Sequence, residues 1–250
     1  MTPKDSTVTQ SRVLAGTHRI PSGMAAWKLA GVALLLQIVL FWDVGALFVT
    51  DALVPGSIGL SDYPFADPAV MMLNRLLVVA VWALAVGVVA YWCWERGLLH
   101  RLFTWEYNST VLTASLAAVA LHVADNLVMS TVGSEDLFPR VLGEYAIFAS
   151  TYGSPDGAIV FLTQLLYYLL ETLVVVIMIA LFQRAGEQQF DIPAVPWGGI
   201  GIALTWGALH LLTGGTFEML VLPLGMGIVY LLGNKHVLPV VLVVVLAFLV

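Results

Sequence analysis

One carboxylate, Glu171, stands near the middle of the longest apolar run of the chain, Gly157 to Phe182. Gln164, Tyr167, Tyr168 and Glu171 are spaced by three and four residues and so share one face of a helix. If that run crosses a bilayer, an acid near the midplane costs about 2.5–3.5 kcal/mol on translocon scales unless it is protonated or paired. A chain that keeps such a group is expected to bring something to meet it. His210 is one candidate, in Leu204-Thr205-Trp206-Gly207-Ala208-Leu209-His210, where Trp206, His210 and Thr213 share a face. His122 is another, with Asp125 and Asn126 at i+3 and i+4 and Ser115 extending the same face. Such spacing can present a histidine and a carboxylate to one partner, a metal or a proton path. The alternative for each of these groups is interhelical glue, worth about 0.6 kcal/mol per bond on average.

The elements that must position these residues are membrane helices. Sixty per cent of the 250 residues are hydrophobic and ten per cent are charged, and the mean hydropathy is +0.94. Soluble domains carry about a quarter charged residues, so this surface is expected to face lipid. Eight Trp and eight Tyr suit an interfacial aromatic belt. The single cysteine, Cys93, excludes an intramolecular disulfide and a cysteine-based metal cage, and is read as packing. A net charge of −6, with few and scattered basic residues, gives no footprint for nucleic acid.

Residues 1–24 read as a polar cytoplasmic tail, and 25–250 as one transmembrane helical domain. Spans are expected at about 25–49, 69–92, 110–132, 157–182, 197–213 and 217–232, with a short terminal run at 237–250. The connections 51–68 and 133–156 are acidic, and Gln183-Arg184-Ala185-Gly186-Glu187 closes the fourth span. The tail with Lys28, the 93–109 loop, the 183–196 loop and Lys235 hold all the Lys and Arg except Arg75 and Arg140. The positive-inside rule then places the N-terminus in the cytoplasm, and seven crossings place the C-terminus outside. The expected fold is an all-α polytopic transmembrane bundle of about seven spans, integral to a prokaryotic plasma membrane. Antiparallel neighbours bring Asp43 and Arg75 to similar depth, so an ion pair is expected there. Gly198, Gly199, Gly201 and Gly207 line up for close helix packing. His18, His100 and His236 fall in tails or interfacial loops and carry no expected role.

A glutamate in one long span followed by Trp-Gly-Ala-Leu-His in the next resembles the CPBP group of CAAX-processing and bacteriocin-processing intramembrane proteases. The turn after Gly225-Met226-Gly227-Ile228-Val229-Tyr230-Leu231-Leu232 extends the resemblance, which covers about residues 160–250. It implies that Glu171 activates water and that His210 holds the scissile carbonyl or its oxyanion, with His122 as a third arm. The departures are specific. Thr172 follows Glu171 where the group pairs two glutamates, no arginine lies four residues on, and Leu238 to Val250 holds neither histidine nor asparagine.

Three functions compete on these residues. The first is a divergent or lapsed CPBP-like peptidase acting on a membrane peptide or protein substrate. The second is a proton-coupled transporter exchanging protons at Glu171 and Asp125, which expects inverted repeats that the chain does not display. The third is a non-catalytic partner in a membrane complex. A retinal photoreceptor fails because Lys235 lies in a loop and leaves no buried amine for a Schiff base. The sequence names no metal and no cofactor, and the lipid bilayer is the one partner it requires.

Overall fold

The computed structural model describes residues 25–56, 65, 67–102, 140–212 and 218–249, with scattered positions between 109 and 123. Every regular element among them is helical. Helices α1 (Ala26–Leu40) and α2 (Trp42–Leu53) form one bent rod, in which the Phe41 amide still donates to the Gln37 carbonyl at 3.3 Å. Helix α3 (Pro68–Glu95) begins where its sequence dictates. Asp67 Oδ1 accepts from the amides of Ala69 and Val70, and Pro68 takes the first turn, where its missing N–H costs nothing. Helices α4 (Leu99–Leu102), α5 (Arg140–Tyr152) and α6 (Asp156–Phe190) follow. Helix α7 (Trp197–Ile202) runs through a π-turn, Ala203–Gly207, into α8 (Ala208–Leu212), and α9 (Glu218–Leu232) and α10 (Val237–Leu249) complete the order.

Three rods, Ala26–Leu53, Pro68–Glu95 and Asp156–Phe190, are long and apolar enough to cross a membrane. Each exceeds the roughly 30 Å hydrocarbon core at about 1.5 Å per residue. Helix α6 is the interior one: 67% of its apolar stretch is buried, against 28% in the other two. Helices α1, α3, α5, α7 and α10 all pack on it, and from Val174 to Leu181 every side chain is buried. A helix apolar all round belongs inside the protein.

Helix directions follow from contacts. Asp43 meets Arg75, Trp42 Nε1 donates to the Leu77 carbonyl, and Trp82 Nε1 donates to the Val39 carbonyl, so α1 and α2 run antiparallel to α3. Phe65, Val70 and Met71 pack with Phe148 and Val160 at the start of α3 and α6. At the other end α4 touches α6, and Tyr230 donates to the Leu102 carbonyl at 3.2 Å. Helices α3 and α6 are therefore parallel.

The expected glycine contacts are present. A Cβ on Gly198 would lie 2.5 Å from the Ile179 carbonyl oxygen, on Gly199 2.6 Å from that of Pro223, and on Gly201 2.4 Å from the Phe182 ring. Gly207 would meet the Met219 carbonyl oxygen at 2.2 Å. Pro223 lies four residues after Met219 inside α9 and has no N–H to offer that carbonyl. The open face at Gly207 is what lets the two chains close on it. Replacing Gly199 by Val is expected to destabilise the fold by about 1–3 kcal/mol through overpacking, measured by thermal unfolding in detergent. Gly225→Ala, where an added Cβ meets nothing within 4 Å, is the matched control and should leave stability unchanged or slightly raised.

The structure corrects four sequence expectations. Helix α6 does not close at Phe182; it continues to Phe190, where Asp191 turns left-handed at φ 54° and its amide caps the Glu187 carbonyl. The run 183–190 contains good helix formers and no proline, and Gln183, Arg184 and Glu187 meet protein partners there. The acidic connection 133–156 contains a helix, α5, over Arg140–Tyr152. Arg184 lies within α6 rather than in a loop, and Lys235, though in the α9–α10 turn as expected, is buried like Arg184. The Lys235 amine, taken as absent from the interior, is therefore present in it, and His236, expected in an interfacial loop, is buried as well. Most of the third expected span, and the 1–24 tail, lie outside the described residues.

A buried glutamate and an indole-bridged histidine

The four polar positions 164, 167, 168 and 171 do lie along one face of α6, and Gln164, Tyr168 and Glu171 are buried there. The partner that meets Glu171 is Trp206. Its indole Nε1 donates to Glu171 Oε1 at 3.3 Å, and both residues are 6% exposed. The π-turn sets this contact: it feeds one extra residue into the helix and re-aims the side chains after it, as such bulges often do at functional sites. His210 packs against the same indole, ring centroids 4.1 Å apart and inclined 38°. Its Nδ1 lies 2.8 Å from the Trp206 carbonyl, one turn back. A carbonyl can only accept, so Nδ1 is the donor in this contact.

Glu171 and His210 each contact one residue, Trp206. Sequence reasoning placed Trp206 on one face with His210 and Thr213 but missed it as the donor. A tryptophan one helical turn before a histidine was the available signal. Thr172, at the position of the resembled group's second glutamate, is 1% exposed, and its Oγ1 has no hydrogen-bond partner among the described residues. Gln164 Oε1 and both polar atoms of Gln37 on α1 stand likewise. His122 and Asp125 lie outside the described residues. Among the described residues no three His, Cys, Asp or Glu side chains converge as metal ligands would.

A second group of side chains reaches the same face from the α2–α3 side. Arg75 Nη1 pairs with Asp43 Oδ1 at 3.1 Å, as expected from sequence. Its guanidinium carbon sits 4.6 Å from the centre of the Tyr167 ring, a cation–π contact. Tyr167 in turn lies 4.8 Å from Trp82 and 5.6 Å from Tyr168. The Tyr168 hydroxyl donates to Glu144 Oε1 on α5 at 2.5 Å. A seam of polar and aromatic groups therefore runs along α6 from the Asp43–Arg75 pair to Glu171.

The third group is a polar knot at the far end of α6. Glu187 Oε1 accepts from Gln183 Nε2 at 2.8 Å and pairs with Lys235 Nζ at 2.9 Å, while Oε2 pairs with Arg184 Nη1 at 2.9 Å. Gln183 also donates to the Val195 carbonyl and accepts from the Gly198 amide, both at 3.0 Å. The knot joins α6, the entry to α7 and the α9–α10 turn. That turn places Asn234 and Lys235 at φ 54° and 64°, a conformation non-glycine residues hold only when their surroundings fix it. Neither residue type nor spacing along one helix shows this knot, because Lys235 comes from 48 positions away in the sequence. Compared with known proteins, the chain matches no family model, no curated protein and no solved structure.

Proposed function

We propose that this chain is a polytopic membrane protein of seven crossings with a cytoplasmic N-terminus, and that its C-terminal half carries a divergent CPBP-like peptidase centre built on Glu171 and His210. The observation that carries the reading is the shared indole: a buried carboxylate and an imidazole, on separate helices, are both held by Trp206. Orientation rests on Lys4, Arg12, Arg19, Lys28, Arg96 and Arg101, since Arg184 and Lys235 are committed to the knot.

The chemistry assigned to the pair is water attack on a peptide carbonyl inside the membrane. Glu171 takes a proton from the attacking water, and the Trp206 N–H stabilises its ionised form before the step. His210 acts as the oxyanion donor through Nε2–H, which requires the imidazolium, because Nδ1 is already spent on the Trp206 carbonyl. The proton gained by Glu171 then passes to the leaving amine. Substrates would be hydrophobic membrane peptides or proteins.

The test uses purified full-length protein in nanodiscs with a pool of apolar membrane peptides, read by mass spectrometry. Cleavage by the parent chain that falls by about 100-fold or more in Glu171→Gln supports the reading, at the scale a lost general base commands. Equal product from the parent and Glu171→Gln removes Glu171 from the chemistry. The Thr172 substitution favours one specific second reading, a lapsed centre in a non-catalytic bundle, and absence of product from the parent chain across the pool would favour it over hydrolysis.

A further inference from the structure

The buried side chains of the bundle divide into two apolar clusters with a polar layer between them. Toward the start of α3 and α6, Phe65, Val70, Met71, Phe148 and Val160 form the smaller cluster. The larger one takes over at Val78 on α3 and at Tyr168 on α6. Between them Asn74 donates to Thr50 at 3.3 Å, Arg75 pairs with Asp43, and the Tyr168 hydroxyl reaches Glu144. Gln164 lies in the same layer on α6 and is 3% exposed. Its Oε1 meets no hydrogen-bond partner among the described residues.

Two more groups of this kind stand near Glu171. Gln37 belongs to the stripe Leu29, Ala33, Leu36, Gln37 and Leu40, the buried face of α1, and is 6% exposed. Among the described residues neither polar atom of its amide is paired. Its height follows from its neighbours: the Val39 carbonyl accepts from the Trp82 indole, and Trp82 lies against Tyr167. Helix α1 packs on α6 and runs opposite to it. Gln37, two residues before Val39, is therefore about 3 Å further along α6 than the level of Tyr167, and Glu171 about 6 Å further. Helix α1 also touches the π-turn that carries Trp206. Thr172, next to Glu171, is 1% exposed, and its hydroxyl is likewise unpaired among the described residues.

An amide offers two donors and an acceptor oxygen, and a hydroxyl both donates and accepts. Buried groups of these types are satisfied in folded proteins by protein or by ordered water, each such water making about three hydrogen bonds. Lipid chains supply no such bonds. Water is the ligand small enough to lie between packed helices and able to donate and accept at once. We infer that Gln164, Gln37 and Thr172 hold a short string of ordered water molecules that leads from the polar layer to Glu171, and that this string supplies the water consumed there. Gln164 shares the Glu171 face two turns earlier, about 10 Å along the axis, a gap that a few water molecules at hydrogen-bond spacing bridge. The supply role rests on the reading of Glu171 as a base; the hydration does not.

The test uses the full chain labelled with nitrogen-15 at glutamine and tryptophan side chains, in nanodiscs of deuterated lipid. It reads magnetisation transfer from water to the side-chain N–H groups. The Gln37 and Gln164 signals are identified by their disappearance in Gln37→Leu and Gln164→Leu, or in the near-isosteric Gln37→Met and Gln164→Met should a leucine variant fail to fold. Both amide groups are expected to show water cross peaks, and absence of the cross peak at either one overturns the inference. The Trp206 indole is expected to show a water cross peak in the parent and to lose it in the Gln164 variant. A cross peak that persists there overturns the supply route. Glu171→Gln should retain both glutamine cross peaks. Peptide cleavage without water contact at the amides would therefore overturn only the hydration, and water contact without cleavage only the hydrolytic reading.

Discussion

Glu187→Ala is expected to cost about 3–5 kcal/mol of folding free energy, because it leaves two buried cations facing a neutral side chain. Arg184, Glu187 and Lys235 side chains are 9%, 11% and 8% exposed, so water cannot take over the role of the carboxylate. Glu187 also accepts from Gln183, whose other contacts hold Val195 and the first turn of α7. Losing the acceptor therefore loosens three elements together. Glu187→Gln keeps an acceptor and removes the charge, so it should fall between Ala and the parent. Removing all three charges at once, with Arg184→Leu, Glu187→Leu and Lys235→Met, should recover a good part of the loss, since no uncompensated charge remains. Unfolding midpoints in detergent give the order parent, triple variant, Glu187→Gln, Glu187→Ala. A Glu187→Ala chain as stable as the parent would show that the knot contributes nothing to folding.

Trp206→Ala carries the second large effect, about 3–5 kcal/mol for removing a buried indole from the centre of the bundle. It also strips Glu171 of a donor and His210 of the ring it stacks on. Trp206→Phe separates these contributions. It keeps most of the volume and the aromatic face and loses only the N–H, so its stability cost should be about 1–3 kcal/mol, the range for a buried acceptor left unpaired. If Glu171 works as a base, Trp206→Phe should lower peptide cleavage more than its folding loss explains, because the ionised carboxylate loses a donor. Equal stability for Ala and Phe at this position would contradict the packing seen at the π-turn.

What the sequence disclosed, and what it hid, follows from the range of the forces involved. Asp43 and Arg75 were legible as a pair because two charges in apolar helices of opposite direction have few other ways to be neutralised. The glycines of 198–207 were legible because a stripe lacking side chains has one use, close approach. Three helices long and apolar enough to cross a membrane were legible from composition and run length. The extension of α6 to Phe190 was not legible. Gln183, Arg184 and Glu187 read as a polar exit unless their partner Lys235 is known, and that partner lies in another turn. Lys235 and His236 were misread for the same reason: a Gly-Asn-Lys-His stretch suggests an exposed turn, and only tertiary contacts bury it. Helix α5 was hidden by the acidic residues around it. The role of Trp206 depended on the π-turn, a register shift of one residue that no periodicity marks in advance.

The central claim is that Trp206 binds the Glu171 carboxylate inside the bundle. Its most direct test is the amide-region nuclear magnetic resonance spectrum of protein labelled with nitrogen-15 only at tryptophan indoles, in lipid nanodiscs. The Trp206 signal is identified by its disappearance in Trp206→Phe. In Glu171→Leu, that signal is expected to move upfield, toward a non-hydrogen-bonded indole, while the indoles of Trp27 and Trp94, exposed and remote from the bundle interior, stay in place. A Trp206 signal at the same position in the parent and in Glu171→Leu would mean that the carboxylate and the indole do not touch, and the site built on them would not exist.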